Sequence, residues 1–467
     1  MRAANCIAAA LLVAGCTAGP EYRRPAVETP ARWRVESPWR VATPRDDAPK
    51  GAWWAGFNDP DLERLERQAL SASPTLAVAA ARLEQARATL EAATGLRYPQ
   101  ASIGSRDQRF RITENRPLSN YASPQFSAVQ NDFTLVLSAS YELDLAGRVR
   151  RTIEGAQAAS AQSAADFENT RLVLTADVAT AYFNLRAIDT ELDVLSRSIG
   201  LQRRALELAN SRHELGAASG LDVAQQQALL DSTLTQVDLL RKQRGQFEHA
   251  LATLVGTPAP DFALAPQAAR TVPPAIPLGV PSDVLERRPD VASAERAMAV
   301  ANAQVGVATA ALYPSISLVS TFGRESRDLS TLFSAPSAVW SIGASITQPL
   351  FDAGRLQANV RFARAGYEAS VATYRRIVLG AMQEVEDGIT GLAALDRAYV
   401  QAGAAVTSAT RVLEMANARY EGGAAGYLEV ITAQQFLLNN ERLQAQLLGQ
   451  RLLTAVFLVK ALGGGWT

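Results

Sequence analysis

Leu206-Glu-Leu-Ala-Asn-Ser-Arg-His-Glu-Leu-Gly-Ala-Ala218 and Leu413-Glu-Met-Ala-Asn-Ala-Arg-Tyr-Glu-Gly-Gly-Ala-Ala425 are two versions of one segment. The match extends in both directions when the chain is displaced against itself by roughly 210 positions, far more than the period of a solenoid repeat. Upstream, Gly147-Arg148 falls on Gly354-Arg355. Further upstream, the stretch from Leu76 to Tyr98-Pro99 falls on that from Val291 to Tyr313-Pro314, with Pro74 on Pro289. Alanine-rich helices drift into register by chance, but they do not keep Tyr-Pro and Gly-Arg pairs aligned. The chain therefore reads as a duplicated half-molecule, each half supplying the same elements to one pseudo-symmetric body.

Prolines mark where the helices can lie. None occurs between Pro74 and Pro99 or between Pro124 and Pro258, and the second half repeats both gaps, from Pro289 to Pro314 and from Pro349 to the end. Proline inside a helix costs about 3 kcal/mol, so such gaps permit long helices. They are filled with Ala, Leu, Glu, Gln and Arg, all strong helix formers. The pattern predicts helices over about 60–70, 74–98, 148–213 and 220–255, then 282–287, 289–313, 355–420 and 427–461. The two longest would each span about 100 Å at 1.5 Å per residue, too long for a compact globular domain. A plain long coiled coil shares this pattern.

Four segments break it. Phe133, Leu135, Leu137, Ala139 and Tyr141 fall on one face of an alternating stretch, and Trp340, Ile342, Ala344 and Ile346 alternate with Ser341, Gly343, Ser345 and Thr347. Ser315 to Phe322 alternates well and Ala101 to Ile112 poorly. Period-two patterning predicts strands over about 100–112, 132–145, 314–324 and 338–349. One apolar and one small polar face suits a barrel with lipid outside and water inside, although soluble antiparallel sheets alternate in the same way. Transmembrane barrels begin at about eight strands, because an open edge in hydrocarbon leaves backbone groups unpaired. Four strands cannot close, so several copies must pool them in a ring. Three copies would give about twelve strands above a ring of helices.

Composition narrows the function. Lys+Arg and Asp+Glu balance at 46 each, so no basic face announces nucleic acid. No stretch holds the ~18 continuous apolar residues of a spanning helix, so any crossing of a bilayer uses strands. The N-terminus reads as a processing signal: Arg2, the apolar run Ile7 to Val13, then Leu12-Val13-Ala14-Gly15-Cys16, which resembles a bacterial lipobox. Cys16 would be lipidated as the first mature residue, and Thr17 after it fits export to the outer membrane. Cleavage would remove Cys6, leaving no disulfide framework and no cysteine metal site. The expected division is a signal peptide over 1–15, a lipid-anchored extended arm over 16–58, a first repeat over 59–256, a linker over 257–281, a second repeat over 282–463 and a tail over 464–467.

Several short motifs occur in order along this frame. They include Gly19-Pro20-Glu21-Tyr22-Arg23-Arg24-Pro25 after the lipobox, Trp53-Trp54-Ala55-Gly56-Phe57-Asn58-Asp59-Pro60, and Tyr141-Glu142-Leu143-Asp144-Leu145-Ala146-Gly147-Arg148. Arg287-Arg288-Pro289-Asp290-Val291, Gln348-Pro349-Leu350-Phe351-Asp352-Ala353-Gly354-Arg355 and the terminal Ala461-Leu462-Gly463-Gly464-Gly465-Trp466 complete the set. Over essentially its whole mature length the chain resembles the outer-membrane efflux proteins of the TolC superfamily, most closely lipoprotein channels of the OprM/NodT type. The resemblance implies a mainly α protein with a membrane β-barrel: a homotrimer with a twelve-stranded barrel in outer-membrane lipid over a periplasmic α-helical barrel. It also implies docking to a periplasmic adaptor and an inner-membrane pump of the RND type, passive export of drugs or other small molecules, no chemistry, and no cofactor beyond the lipid on Cys16. Type I secretion and a non-pore structural envelope lipoprotein are the alternatives. An enzyme is hard to assemble from these residues, because His213 and His249 are the only histidines and no mature cysteine joins them. Met298, Met382 and Met415 are scattered, which disfavours a metal path.

Two helix-turn-helix corners occupy matching places. In the first, Arg212, Gly216, Ser219 and Asp222 are the candidates; in the second, Arg419, Gly423 and Gly426. Gly216 and Gly423 suit the left-handed position that ends a helix, Ser219 can cap the next one, and Asp222 adds favourable charge in its first turn. The resemblance makes these corners the periplasmic tips, where the entrance closes and the adaptor docks. Many relatives carry an aspartate where Ala425 stands, so the constriction is expected to fall to Glu421 or Glu429 together with Tyr427.

Overall fold

The computed structural model describes residues 19–23, 51–111, 129–269, 271–276 and 287–464. The signal peptide, Cys16, most of the arm, the end of the linker, most of the short helix expected over 282–287 and the last three residues lie outside these. The helices come in matched pairs. After α1 (Pro60–Ala72), α2 (Pro74–Gly95) has its counterpart in α5 (Pro289–Ala310), both of 22 residues. The 67-residue α3 (Arg148–Glu214) matches α6 (Arg355–Glu421), and the 35-residue α4 (Gly220–Leu254) matches α7 (Tyr427–Ala461). Identical lengths in both halves are what a duplication leaves behind.

The helix ends follow local chemistry. Asp59 caps α1, its side chain accepting from the backbone N–H of Asp61 at 3.1 Å and of Leu62 at 3.2 Å, with Pro60 in the first turn. Asp144 does the same for α3 from the N–H groups of Val149 at 2.9 Å and Arg150 at 2.8 Å, and Asp352 opens α6 from Gly354 and Leu356, both at 2.9 Å. Two helices stop earlier than expected. Tyr98 precedes Pro99 and Tyr313 precedes Pro314, and the proline ring pushes its predecessor out of the helical region. The chain leaves α2 and α5 instead through tight turns, Tyr98 N–H to Gly95 O and Tyr313 N–H to Ala310 O, both 3.1 Å.

The four strands β1 (Gln100–Arg111), β2 (Val129–Leu143), β3 (Ser315–Ser326) and β4 (Ala338–Thr347) form one antiparallel sheet in the order β1-β2-β3-β4. The central pairing joins the two halves, Phe133 opposite Ser326 through Leu143 opposite Ile316.

Compactness divides the chain differently from the repeat. One unit takes in the described residues of Met1–Pro25, Glu84–Gln162 and Ala294–Thr373; the other takes in those of Ala26–Leu83, Ser163–Ser293 and Tyr374–Thr467. Each unit draws on both halves. The sheet belongs to the first, and the largest core to the second. There Trp53, Trp54 and Phe57 pack with Leu62 and Leu65 of α1, Tyr182, Phe183 and Leu185 of α3, Leu251 of α4, Ile389 of α6 and Leu452 and Leu458 of α7.

Polar groups fix how this core is put together. The Tyr182 hydroxyl donates to both oxygens of Asp59 at 2.8 Å, and burial pushes its pKa up, so it stays a donor. The buried Arg186 guanidinium donates to Asp61 at 3.0 Å, Asp189 at 3.2 Å and the Ala265 carbonyl at 2.8 Å. Arg244 of α4 reaches the other Asp189 oxygen at 2.7 Å and the Leu264 carbonyl at 2.5 Å. Arg288 joins Glu384 of α6 at 2.5 Å to the Ala461 carbonyl at the end of α7 at 3.0 Å. Removing one member of such a group strands a buried charge, at a cost of about 3–5 kcal/mol.

Candidate functional site: the sheet face and the two helix corners

Register turns the alternation of four strands into two continuous faces. Ile103, Leu137, Phe322 and Trp340 stand directly opposite one another in a single row across the sheet. Adjacent rows on that face run Ala101, Ala139, Ser320, Ile342 and then Tyr141, Leu318, Ala344. The opposite face carries Ser102, Ser138, Thr321, Ser341 and, further along, Glu142, Ser317, Ser345. Among the described residues nothing covers the apolar face: Ile342 is 80% exposed, Ile103 74%, Trp340 70% and Phe322 65%. A soluble sheet buries its apolar face against a second layer. This one presents it outward, as a lipid-facing strand does, and its strands of 10 to 15 residues reach the length that crosses hydrocarbon when tilted. Sequence alone left β1 poorly patterned; its register against β2 places Ile103 on the apolar face. No described helix is long and apolar enough to cross a membrane.

The two corners lie in the other unit. Both α3 and α6 end in the same backbone motif. Ala217 N–H reaches Arg212 O at 2.7 Å and Gly216 N–H reaches His213 O at 2.9 Å; Ala424 N–H reaches Arg419 O at 2.8 Å and Gly423 N–H reaches Tyr420 O at 3.1 Å. Gly216 sits at φ 73° and Gly423 at φ 68°, where a side chain would be strained. Arg212 and Arg419 thus supply carbonyls that close the two corners.

Past the glycines the corners diverge. Ser219 and Asp222 form a reciprocal capping box, Leu221 N–H to Ser219 Oγ and Ser219 N–H to Asp222, both 3.1 Å. Gly426 has no side chain to cap α7, and Arg419 pairs with Glu429 at 3.6 Å. The ring in the last turn packs on the first residue of the next helix in both corners, but with different volumes. A Cβ at Gly220 would lie 3.6 Å from the His213 ring, whereas Tyr420 and Tyr427 meet with centroids 5.0 Å apart. The corners also touch: the Arg212 guanidinium lies over the Tyr420 ring, 4.6 Å from its centroid.

Tyr427, a candidate for the constriction, packs inside the helices of its own chain. Its side chain is buried, 4% exposed, and its hydroxyl donates to Gln226 Oε1 at 2.9 Å, while Gln226 Nε2 donates to Gln202 O at 3.0 Å. Desolvation, with Tyr420 and Asp222 adding to it, pushes its pKa up to about 12, so the hydroxyl keeps its proton. In this position Tyr427 ties α7 to α4 and α3. Glu421 and Glu429 are exposed and Ala425 is half-buried. Gln226 was missed from sequence. The signal was its place on the buried stripe of α4 with Leu229, Leu230 and Thr233.

Among the described residues, no three His, Cys, Asp or Glu gather into a group that could hold a metal ion. The comparisons with known proteins agree with the geometry. The family model for outer membrane efflux proteins matches residues 65–257 and 280–464. The pyoverdine export outer membrane protein OpmQ of Pseudomonas aeruginosa is 31% identical over 468 residues, which cover 100% of this chain and 97% of the relative. The toluene efflux pump outer membrane protein TtgF of Pseudomonas putida is 31% identical over 471 residues, covering 98% and 96%. Among solved structures, the outer-membrane channel OprN superposes with a TM-score of 0.88 at 29% identity, covering 97% of this chain and 100% of that one. These are channel-type proteins and not an enzyme family. An exposed apolar sheet face carried on paired long helices, in a chain matched end to end by such proteins, is the outer-membrane channel component of an efflux system, and the chain belongs to the outer membrane efflux protein family.

Proposed function

We propose that three copies of this chain close one conduit. The observation that carries the reading is the uncovered apolar row from Ile103 to Trp340, on a sheet whose outer strands β1 and β4 each have one neighbour. In hydrocarbon, edge groups without partners are untenable, and pairing β4 of one copy with β1 of the next gives twelve strands and no edge. The opposite face, mostly Ser, Thr and Gly with Val136, Val319 and Val339 among them, then lines water.

Lipidation of Cys16 tethers each copy to the outer membrane. The corners at Gly216 and Gly423 form the periplasmic entrance, where Arg212, Ser219, Asp222, Arg419 and Gly426 meet a periplasmic adaptor that links the channel to an inner-membrane transporter of the RND type. The exposed acids Glu421 and Glu429 provide the negative constriction. The cargo is small molecules, as the names of OpmQ and TtgF say of those proteins. The channel does no chemistry and the pump supplies the energy.

Purified, membrane-extracted protein in planar bilayers tests this. A cross-linkable trimer with discrete conductance is expected. Neutralising Glu421 and Glu429 together is expected to lower cation preference, and Ala425→Asp to raise it. A stable monomer that gives no conductance would sink the proposal.

A further inference from the structure

The described residues 19–23 are pinned within the first unit by hydrogen bonds to α3 and α5. The Tyr22 hydroxyl donates to Glu295 O at 3.4 Å, Asn302 Nδ2 donates to Pro20 O at 3.0 Å, and the Arg151 guanidinium donates to Gly19 O at 3.4 Å. At Gly19 the contact is backbone against backbone. Its φ is +94°, and a Cβ there would stand 2.6 Å from Gly306 Cα. A Cβ on Gly306 would in turn stand 2.7 Å from the Arg151 side chain. Two glycines and a buried arginine thus form a crossing that admits no larger residue.

The contacts also give direction. Residues 22, 20 and 19 meet α5 at 295, 302 and 306, so the segment runs antiparallel to α5. Its upstream end points toward the C-terminal end of α5, where Pro314 leads into β3. Cys16 precedes Gly19 by three residues, a tether of at most about 10 Å. On the helix that distance is about seven residues past Gly306, the level at which α5 gives way to strand.

A groove of about 570 Å³ opens beside the crossing, lined from α3, α5 and α6. Gly155 and Ala159 of α3, Ala303, Val307 and Ala308 of α5 and Ala311 just past its end make most of the lining apolar; Thr152, Gln304 and Asn359 add polar groups, and Arg151, the residue that holds Gly19, completes one side. Along α5 it extends from Val300 to the helix end at Ala310, about 15 Å. A tether of that length from Gly19 is long enough to reach the strand-proximal end of this groove.

We propose that the groove receives a fatty acyl chain carried by Cys16, and that the Gly19–Tyr22 segment is the latch that aims it there. The proposal rests on the lipidation of Cys16. Of the possible occupants, the acyl chain is the one whose attachment point is within reach and whose shape, long, narrow and apolar, fits the groove. Docking one chain against α3 and α5 sets the height of the helix-to-strand junction relative to the membrane, which a lipid on a loose tether does not.

The test uses full-length protein expressed in its membrane and labelled metabolically with a fatty acid carrying a terminal photoactivatable group. Intact mass before irradiation reads acylation; peptide mass spectrometry afterwards reads cross-links. Acylated protein is expected to cross-link to the peptide between Arg296 and Arg324. Ala308→Trp, which fills the groove, is expected to lower that cross-link severalfold with acylation and trimer unchanged. Asn302→Ala, which loosens the latch without filling anything, is expected to lower it less. Cross-links confined to phospholipid in acylated protein overturn the groove, as does an unchanged cross-link in Ala308→Trp. An intact mass without acyl overturns the anchor itself, and the groove with it.

Discussion

The first corner, from Arg212 to Asp222, and the second, from Arg419 to Glu429, have the same backbone and different chemistry. Both end a 67-residue helix with a glycine at positive φ and the same pair of turn hydrogen bonds. The first then relies on side-chain oxygens, Ser219 and Asp222, to start its next helix. The second has glycine at that place and relies on a buried tyrosine anchored to Gln226. After duplication, the backbone requirement stayed fixed because few residues satisfy it. The means of holding the next helix was free to change, because more than one kind of interaction can do the same work.

The largest effect is expected from Tyr427→Ala, which removes a buried aromatic at a cost of about 3–5 kcal/mol. Amide exchange should rise sharply in peptides at the starts of α4 and α7, and Tyr427→Phe should show a smaller rise from stranding Gln226 Oε1. If Tyr427→Ala left exchange unchanged, the second corner would not depend on its tyrosine. Next come Gly216→Val and Gly423→Val, each costing about 1–2 kcal/mol through forced left-handed backbone. Equal losses of protection in the two corners are expected; unequal ones would break the claim that the backbone is shared. Ser219→Ala should cost about 1 kcal/mol and be felt only at the start of α4. The smallest effect belongs to Glu429→Gln, whose exposed pairing with Arg419 is worth less than about 1 kcal/mol. Its loss should disappear altogether in high salt.

Much of the architecture was legible because it rests on signals that are local. Proline-free gaps gave the long helices to within a residue or two at most ends, and Gly216 and Gly423 marked the corners. The strands in good alternation, β2, β3 and β4, were legible for the same reason. β1 was placed as a strand too, but Arg106, Asp107 and Arg109 interrupt its pattern, and only the neighbour across the sheet assigns its faces. The burial of Tyr427 was not legible, because it depends on Gln226 two hundred residues away. The Arg186–Asp189–Arg244 cluster escaped for a similar reason: each residue reads as an ordinary solvated helix charge, and the carbonyls that satisfy them come from a loop with no pattern of its own.

The seam between β2 and β3 bears on how the protein is made. It joins Phe133 to Ser326 and Leu143 to Ile316, strands separated by the whole of α3, α4 and α5. During secretion the N-terminal hairpin β1-β2 emerges first and has nothing to pair with until the later hairpin arrives. Pairing at such sequence separation is slow, and unpaired strand edges invite aggregation while it waits. The interval between the two arrivals is therefore when the open edges of the first hairpin are most exposed to wrong pairing.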